Sequence, residues 1–126
     1  MKFLFDENMG ERLARGFQGF GEEVEYITDH FEMGTPDEEI IEFMGENGYC
    51  WVTKDKKARY KPQERRAIKD YGVGAFILVS GNLSSWEVVK QMVARWEEIK
   101  EIAKNENRPF IWKIRSRGKL IKMDLT

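Results

Sequence analysis

The chain has 126 residues, of which 41% are hydrophobic and 13% aromatic, and its formal net charge is −1 although 34% of its residues are charged. This is enough apolar material for one folded domain over residues 1–126 and too much for a disordered chain. No run is apolar enough to span a membrane, no signal peptide is evident, and one cysteine, Cys50, excludes an internal disulfide, so a reduced, cytoplasmic protein is expected. The lone histidine, His30, has neither a cysteine nor a second histidine with which to build a zinc set, and no nucleophile is arranged beside it. Every charged residue from Glu22 to Glu46 is acidic, whereas most from Lys54 to Lys69 and after Arg108 are basic. Such asymmetry suggests a two-faced surface, or simply two solvated faces.

Phe3, Leu4 and Phe5 form an apolar run too short for a helix, ended by Asp6, Glu7 and Asn8. That pattern reads as a buried strand whose carboxyl end opens on the crevice where α/β sheets place their sites. Two adjacent carboxylates there need either a cation such as Mg2+ or Mn2+, or a plainer role in capping the next helix. Leu13, Ala14 and Phe17 recur at helical spacing and Gly19 and Gly21 stop the run; Val24 to Ile27 reads as a second strand and Asp29 to Gly34 as a loop. Thr35, Pro36 and Glu38 read as N-cap, first helical residue and capping-box partner of a helix buried along Ile40, Ile41 and Met44 and ended by Asn47-Gly48. Tyr49 to Thr53 is a third strand, followed by a basic loop and, after Pro62, a helix from about Gln63 to Tyr71. Ala75 to Val79 is the most apolar strand and is expected at the centre, beside the first. Ser84 and Glu87 form a second capping box, opening a long helix with Trp86, Val89, Val93 and Trp96 on its buried face. Pro109 to Ile114 and Lys119 to Met123 read as a hairpin about Ser116-Arg117-Gly118. Alternating strands and helices imply an α/β three-layer sandwich: a mainly parallel sheet closed by a C-terminal antiparallel hairpin.

Three acids then fall at one sheet edge. Asp6 ends the first strand, Asp55 ends the third, and Asp37 lies in the first turn of the helix between them. Asp37 precedes Ile40 and Ile41 by three and four residues and so shares their face; a helix-dipole contact and a ligand role both suit it. A simple crossover would start this helix at the opposite edge, so residues 29–34 are expected to return Thr35 to the carboxyl edge.

The segments KFLFDEN, TPDEEI and TKDK, in this order and spacing, resemble the reduced PIN-like domain family, related to VapC-type toxin ribonucleases. The resemblance covers the first half of the chain and, beyond it, mainly the order of elements. It implies a PIN-like sheet, Mg2+- or Mn2+-dependent hydrolysis of RNA, and Asp6, Asp37 and Asp55 as the acidic cluster. It also implies the toxin of a toxin–antitoxin pair, with RNA as substrate, a cognate antitoxin as partner and a homodimer as an allowed assembly. A full site in that family carries a further acid on a middle helix; this shorter chain has no clear counterpart, and Glu7 is the candidate substitute.

The physical reading agrees: metal-assisted phosphodiester cleavage needs oxygen ligands, not His or Cys, and the substrate needs cations along its backbone. Lys54, Lys56, Lys57, Arg59, Lys61, Arg65 and Arg66 begin beside Asp55, and Tyr60 could stack on an unpaired base. Two rivals stand beside this reading. A receiver-like Mg2+-binding signalling domain shares the paired acids, the Asp after strand three and a hydroxyl, Ser80, after strand four. It lacks the Lys after strand five, since Lys113 lies inside an apolar strand. The other rival is a catalytically inert module binding RNA or a partner through the basic loop.

Overall fold

In the computed structural model, which describes residues 2–55, 61–79 and 82–125, the apolar run Lys2–Phe5 is strand β1. Helix α1 (Glu11–Gly19), β2 (Val24–Tyr26), α2 (Asp37–Asn47), β3 (Tyr49–Asp55), α3 (Pro62–Tyr71), β4 (Gly74–Val79), α4 (Ser85–Asn105), β5 (Phe110–Ile114) and β6 (Ile121–Met123) follow. The sheet runs β2-β1-β3-β4-β5-β6, parallel except for the antiparallel β5–β6 pair. This is an α/β fold with a mainly parallel sheet and a C-terminal antiparallel hairpin.

β1 is apolar at successive positions because both its faces are covered. Phe3 and Phe5 face α1 and α4: their rings lie 4.7 and 6.0 Å from Trp96, and Phe5 lies 5.5 Å from Phe17. Leu4 and Trp51 share the opposite face, being paired in register, and that face carries α2 and α3. β4 is central, as expected, but not beside β1. It lies between β3 and β5, because β1 is enclosed by its own sequence neighbours β2 and β3. Chain order therefore reverses direction at β1, and the crevice between β1 and β3 is the topological switch point at which parallel sheets bind ligands.

The expected return loop before α2 is unnecessary. β2 ends at its carboxyl edge, and a helix that crosses back antiparallel to the strands must start there. Thr35 is not the cap: α2 starts from Pro36 without a side-chain cap, and the Thr35 hydroxyl donates instead to the Glu32 carbonyl at 2.7 Å. This turn is one wall of the crevice. It is steadied from behind by His30, which pairs with Glu25 while its ring packs 4.9 Å from Phe43 and 5.7 Å from Tyr49. Gly48, at φ 75°, ends α2 in the left-handed region that glycine tolerates.

The capping box of α4 forms, with Glu87 N donating to Ser84 Oγ at 3.2 Å and Ser84 N to Glu87 Oε1 at 3.0 Å. Its buried face is rotated from the expected one: Trp96 is buried and Val89 partly buried, as expected, but Trp86 and Val93 are not. Val88, Met92, Trp96, Ile99 and Ala103 are buried, whereas Trp86 is 67% and Val93 61% exposed. Both stripes fit a helical period; the one that includes Met92 sits against β1, and the other is turned outward. With Phe20, which is 90% exposed, Trp86 and Val93 border a groove of about 740 Å³ between α1 and α4. Among the described residues no helix is long and apolar enough to cross a membrane.

Candidate active site

The carboxyl end of β1 is held by side-chain bonds to β3. Thr53, a buried polar residue, donates its hydroxyl to Asp6 Oδ2 at 2.8 Å and lies 3.2 Å from Asn8 Oδ1. Asn8 clamps the β3 backbone from both sides, accepting from Lys54 N at 3.1 Å and donating to Lys54 O at 2.7 Å. Asp6 N donates to Val52 O at 2.9 Å. Asp6 is thus a fixed, half-buried carboxyl. Burial pushes its pKa up, opposed by the Thr53 hydroxyl and the Glu7 amide, and the charges of Asp37 and Glu7 push it further up.

Two helix starts complete the crevice. Asp37 is the first residue of α2, and Glu64 is the third of α3, whose first residue is Pro62. The helices lie side by side and run the same way. At their far ends Gly45 meets Tyr71 so closely that a Cβ on Gly45 would stand 2.2 Å from the Tyr71 carbonyl oxygen. At their near ends the carboxyls of Asp37 and Glu64 face each other within hydrogen-bonding reach. The pKa of Glu64 is pushed up to about 7, first by burial, then by the hydrogen bond and charge of Asp37, with Lys61 opposing and Asp6 adding. Asp6, Glu7, Asp37 and Glu64 line one cavity of about 310 Å³, with Thr53, Trp51 and the residues 31–35 turn as walls.

Of the expected site residues, Asp6 and Asp37 therefore share one cavity, and Glu7 lies on its rim. The backbone of Asp55 ends β3 in register with Val79, and its side chain is outside the described residues. Among the expected RNA-binding cations, Lys54 and Lys61 line the cavity. Arg65 is half-buried on α3 and is not among the lining residues. Lys56, Lys57 and Arg59, with Tyr60, lie outside the described residues. A further acid on a middle helix, Glu64, lies beside Asp37 in this cavity, which Glu7 also lines. Its signal was in the sequence, since Pro62 fixes the helix start and puts Glu64 in the first turn, as Pro36 does for Asp37. Five neighbouring basic residues concealed it.

Among the described residues, which leave out the Asp55 side chain, no group of three His, Cys, Asp or Glu is placed to hold a metal ion. The donor chemistry nevertheless suits a hard divalent cation. The donors are all carboxylate oxygens, and a cation would relieve the repulsion between them. Cys50 offers nothing to this site: it is buried, and burial pushes its thiol up to about 11.

Thr53 is the support that can be removed most cleanly. Thr53→Val should cost about 1–2 kcal/mol, the price of stranding the half-buried Asp6 acceptor, and should raise the Asp6 pKa further. Denaturant melts and NMR titration of the Asp6 carboxyl would measure both.

A family model described as a PIN-like domain matches residues 1–80, a span that includes Asp6, Asp37, Asp55 and Glu64 and ends after β4. No curated protein and no solved structure matches the chain.

Proposed function

The chain belongs to the PIN-like domain family, and from that premise we propose that it is a divalent-metal-dependent endoribonuclease working through the acidic cavity at the β1–β3 crevice. The observation that carries this reading is the gathering of Asp6, Asp37 and Glu64, from the end of β1 and the first turns of α2 and α3, around one cavity. Acids from three separate elements are held together although they repel one another, which is an arrangement suited to a cation. Asp6, Asp37 and Glu64 would hold Mg2+ or Mn2+, with Asp55 as a further ligand from the end of β3 and Glu7 at the rim. When bound, the cation supplies Lewis acidity to the phosphodiester and eases deprotonation of the attacking water. The chain's own residues supply position and charge. Thr53 orients the Asp6 carboxyl, Asn8 locks β1 to β3, and Lys54 and Lys61 neutralise the phosphates entering the cavity. Lys56, Lys57 and Arg59 would continue that track along the loop.

The further reading, a toxin restrained by a cognate antitoxin, follows the resemblance to VapC-type enzymes. The groove between α1 and α4 supports it: an exposed apolar surface of this kind usually has a partner, and this one shares Glu7, Asn8 and Lys54 with the cavity. An antitoxin segment laid in the groove would therefore reach the site. A homodimer through the same face is the alternative occupant, and sedimentation of the isolated chain separates the two.

Melting with and without Mn2+ tests the metal reading. At a hundredfold excess over Kd, a ligand confined to the native state adds about 2.7 kcal/mol, so Tm should rise by several degrees. A Tm unmoved by either Mn2+ or Mg2+ would instead support an inert binding module.

A further inference from the structure

We propose that the turn of the β5–β6 hairpin is a second phosphate-binding surface, which extends the path of single-stranded RNA away from the acidic cavity. The inference rests on the ribonuclease reading. It concerns a part of the chain beyond the matched residues 1–80.

Parallel pairing decides where this turn lies. Asp55 is level with Val79, and Leu78 with Ile114, so Arg115, the next residue after β5, follows on the same row as Asp55. All five parallel strands, β1 to β5, end at the edge that carries the cavity. Two strand spacings separate β3 from β5, so the turn begins about 10 Å along that edge from the end of β3.

The turn's composition is one-sided. Between Glu106 and Asp124 every charged residue is basic. Arg115, Arg117 and Lys119 are exposed, and among the described residues none of the three has a carboxylate partner. Lys122, by contrast, is paired with Glu106.

The turn is also shaped around one of these cations. Arg115 Nη2 donates to the Lys119 carbonyl at 3.3 Å. Its guanidinium lies over Gly118, where a Cβ would stand 3.0 Å from Nη2. Gly118 has φ 77°, so glycine provides both the turn and the space. Leu120, 5% exposed, anchors the far side in the core. The remaining guanidinium N–H groups are free for a phosphate, in a fork already partly fixed. A charge run with no function would need neither the shared sheet edge nor this pre-positioned guanidinium.

The test is RNA binding by fluorescence anisotropy, using a labelled uridine dodecamer and a uridine tetramer with Ca2+ in place of Mg2+ and gel analysis to verify that the probes stay intact. The triple variant Arg115→Ala, Arg117→Ala, Lys119→Ala should bind the dodecamer about tenfold or more weakly. Its log–log salt slope should be shallower by about 2, since each lost single-strand phosphate contact removes about 0.7. The tetramer, which has fewer phosphates to place on the turn, should be weakened less. A second variant, Arg117→Ala, removes an exposed side chain that has no hydrogen bond or ion pair among the described residues and should show a smaller loss in the same direction. An unchanged dodecamer affinity and slope in the triple variant would overturn the inference while leaving the ribonuclease reading intact. Unchanged RNA binding with loss of polyglutamate binding would overturn it in favour of an acidic protein partner. Failure of the wild type to bind either RNA at low salt would overturn both readings together.

Discussion

Asp6→Asn, Asp37→Asn and Glu64→Gln should each lower RNA cleavage by at least about a hundredfold. Losing a residue that merely supports a metal ligand costs about ten- to a hundredfold, so a loss beyond that range separates a ligand from a helper such as Thr53. The same substitutions should leave metal-free stability unchanged or raise it. Asp6 is half-buried and its pKa is pushed up mainly by burial; Asn at that position removes the buried charge and keeps an acceptor for the Thr53 hydroxyl. Glu64 and Asp37 crowd one another, and Gln at position 64 can donate to Asp37 at every pH. Activity and stability should therefore move in opposite directions, and the stabilisation by Mn2+ should shrink in each variant. If these acids were only caps or surface charges, Asn and Gln would change neither activity nor the response to metal. Single-turnover cleavage and paired melts, with and without Mn2+, distinguish the cases.

The second large effect is a pH dependence opposite to that of an ordinary salt-bridged carboxylate. Glu64 is raised from its usual 4.5 to about 7, so between those values the folded chain binds more protons than the unfolded chain. Stability of the metal-free protein must then fall as pH rises through this window, and the part due to Glu64 must be complete above about 7. Asp6, also raised, contributes with the same sign. Glu64→Gln should flatten the slope and raise Tm at pH 8 by a few degrees. Mn2+ would compete with the proton that Glu64 holds below about 7, so its affinity should climb across the same window and its binding should release protons. Calorimetric titrations in two buffers of different ionisation enthalpy would measure that release. A metal-free stability that rises between pH 5 and 8 would contradict the crowding of these carboxyls.

The parts of the fold that could be read from the sequence are those where one local pattern has one physical solution. Phe3-Leu4-Phe5 ended by Asp6 has to be a covered strand with an acid at its mouth. Ser84 and Glu87 form a reciprocal cap wherever a helix follows. Asp37 could be placed by its spacing to Ile40 and Ile41. Other features depend on partners far along the chain. The position of β4 between β3 and β5 depends on which strand edges are already occupied, not on its own apolar character. The choice between the Met92 and Trp86 faces of α4 depends on what packs there, and the period alone suits both. Thr35 had two acceptable partners and took the Glu32 carbonyl. Glu64 was hidden because a single acid in a basic run looks like charge balance until the start of α3 is set against that of α2.

The measurement that bears most directly on the acidic cavity is cleavage of a broad panel of labelled RNAs by the wild-type chain in Mn2+, after chelation, and after Mn2+ is restored. Cleavage that appears with Mn2+, vanishes on chelation and returns on re-addition is the predicted result. Cleavage that survives chelation, or no cleavage of any RNA on the panel with Mn2+ present, would contradict it.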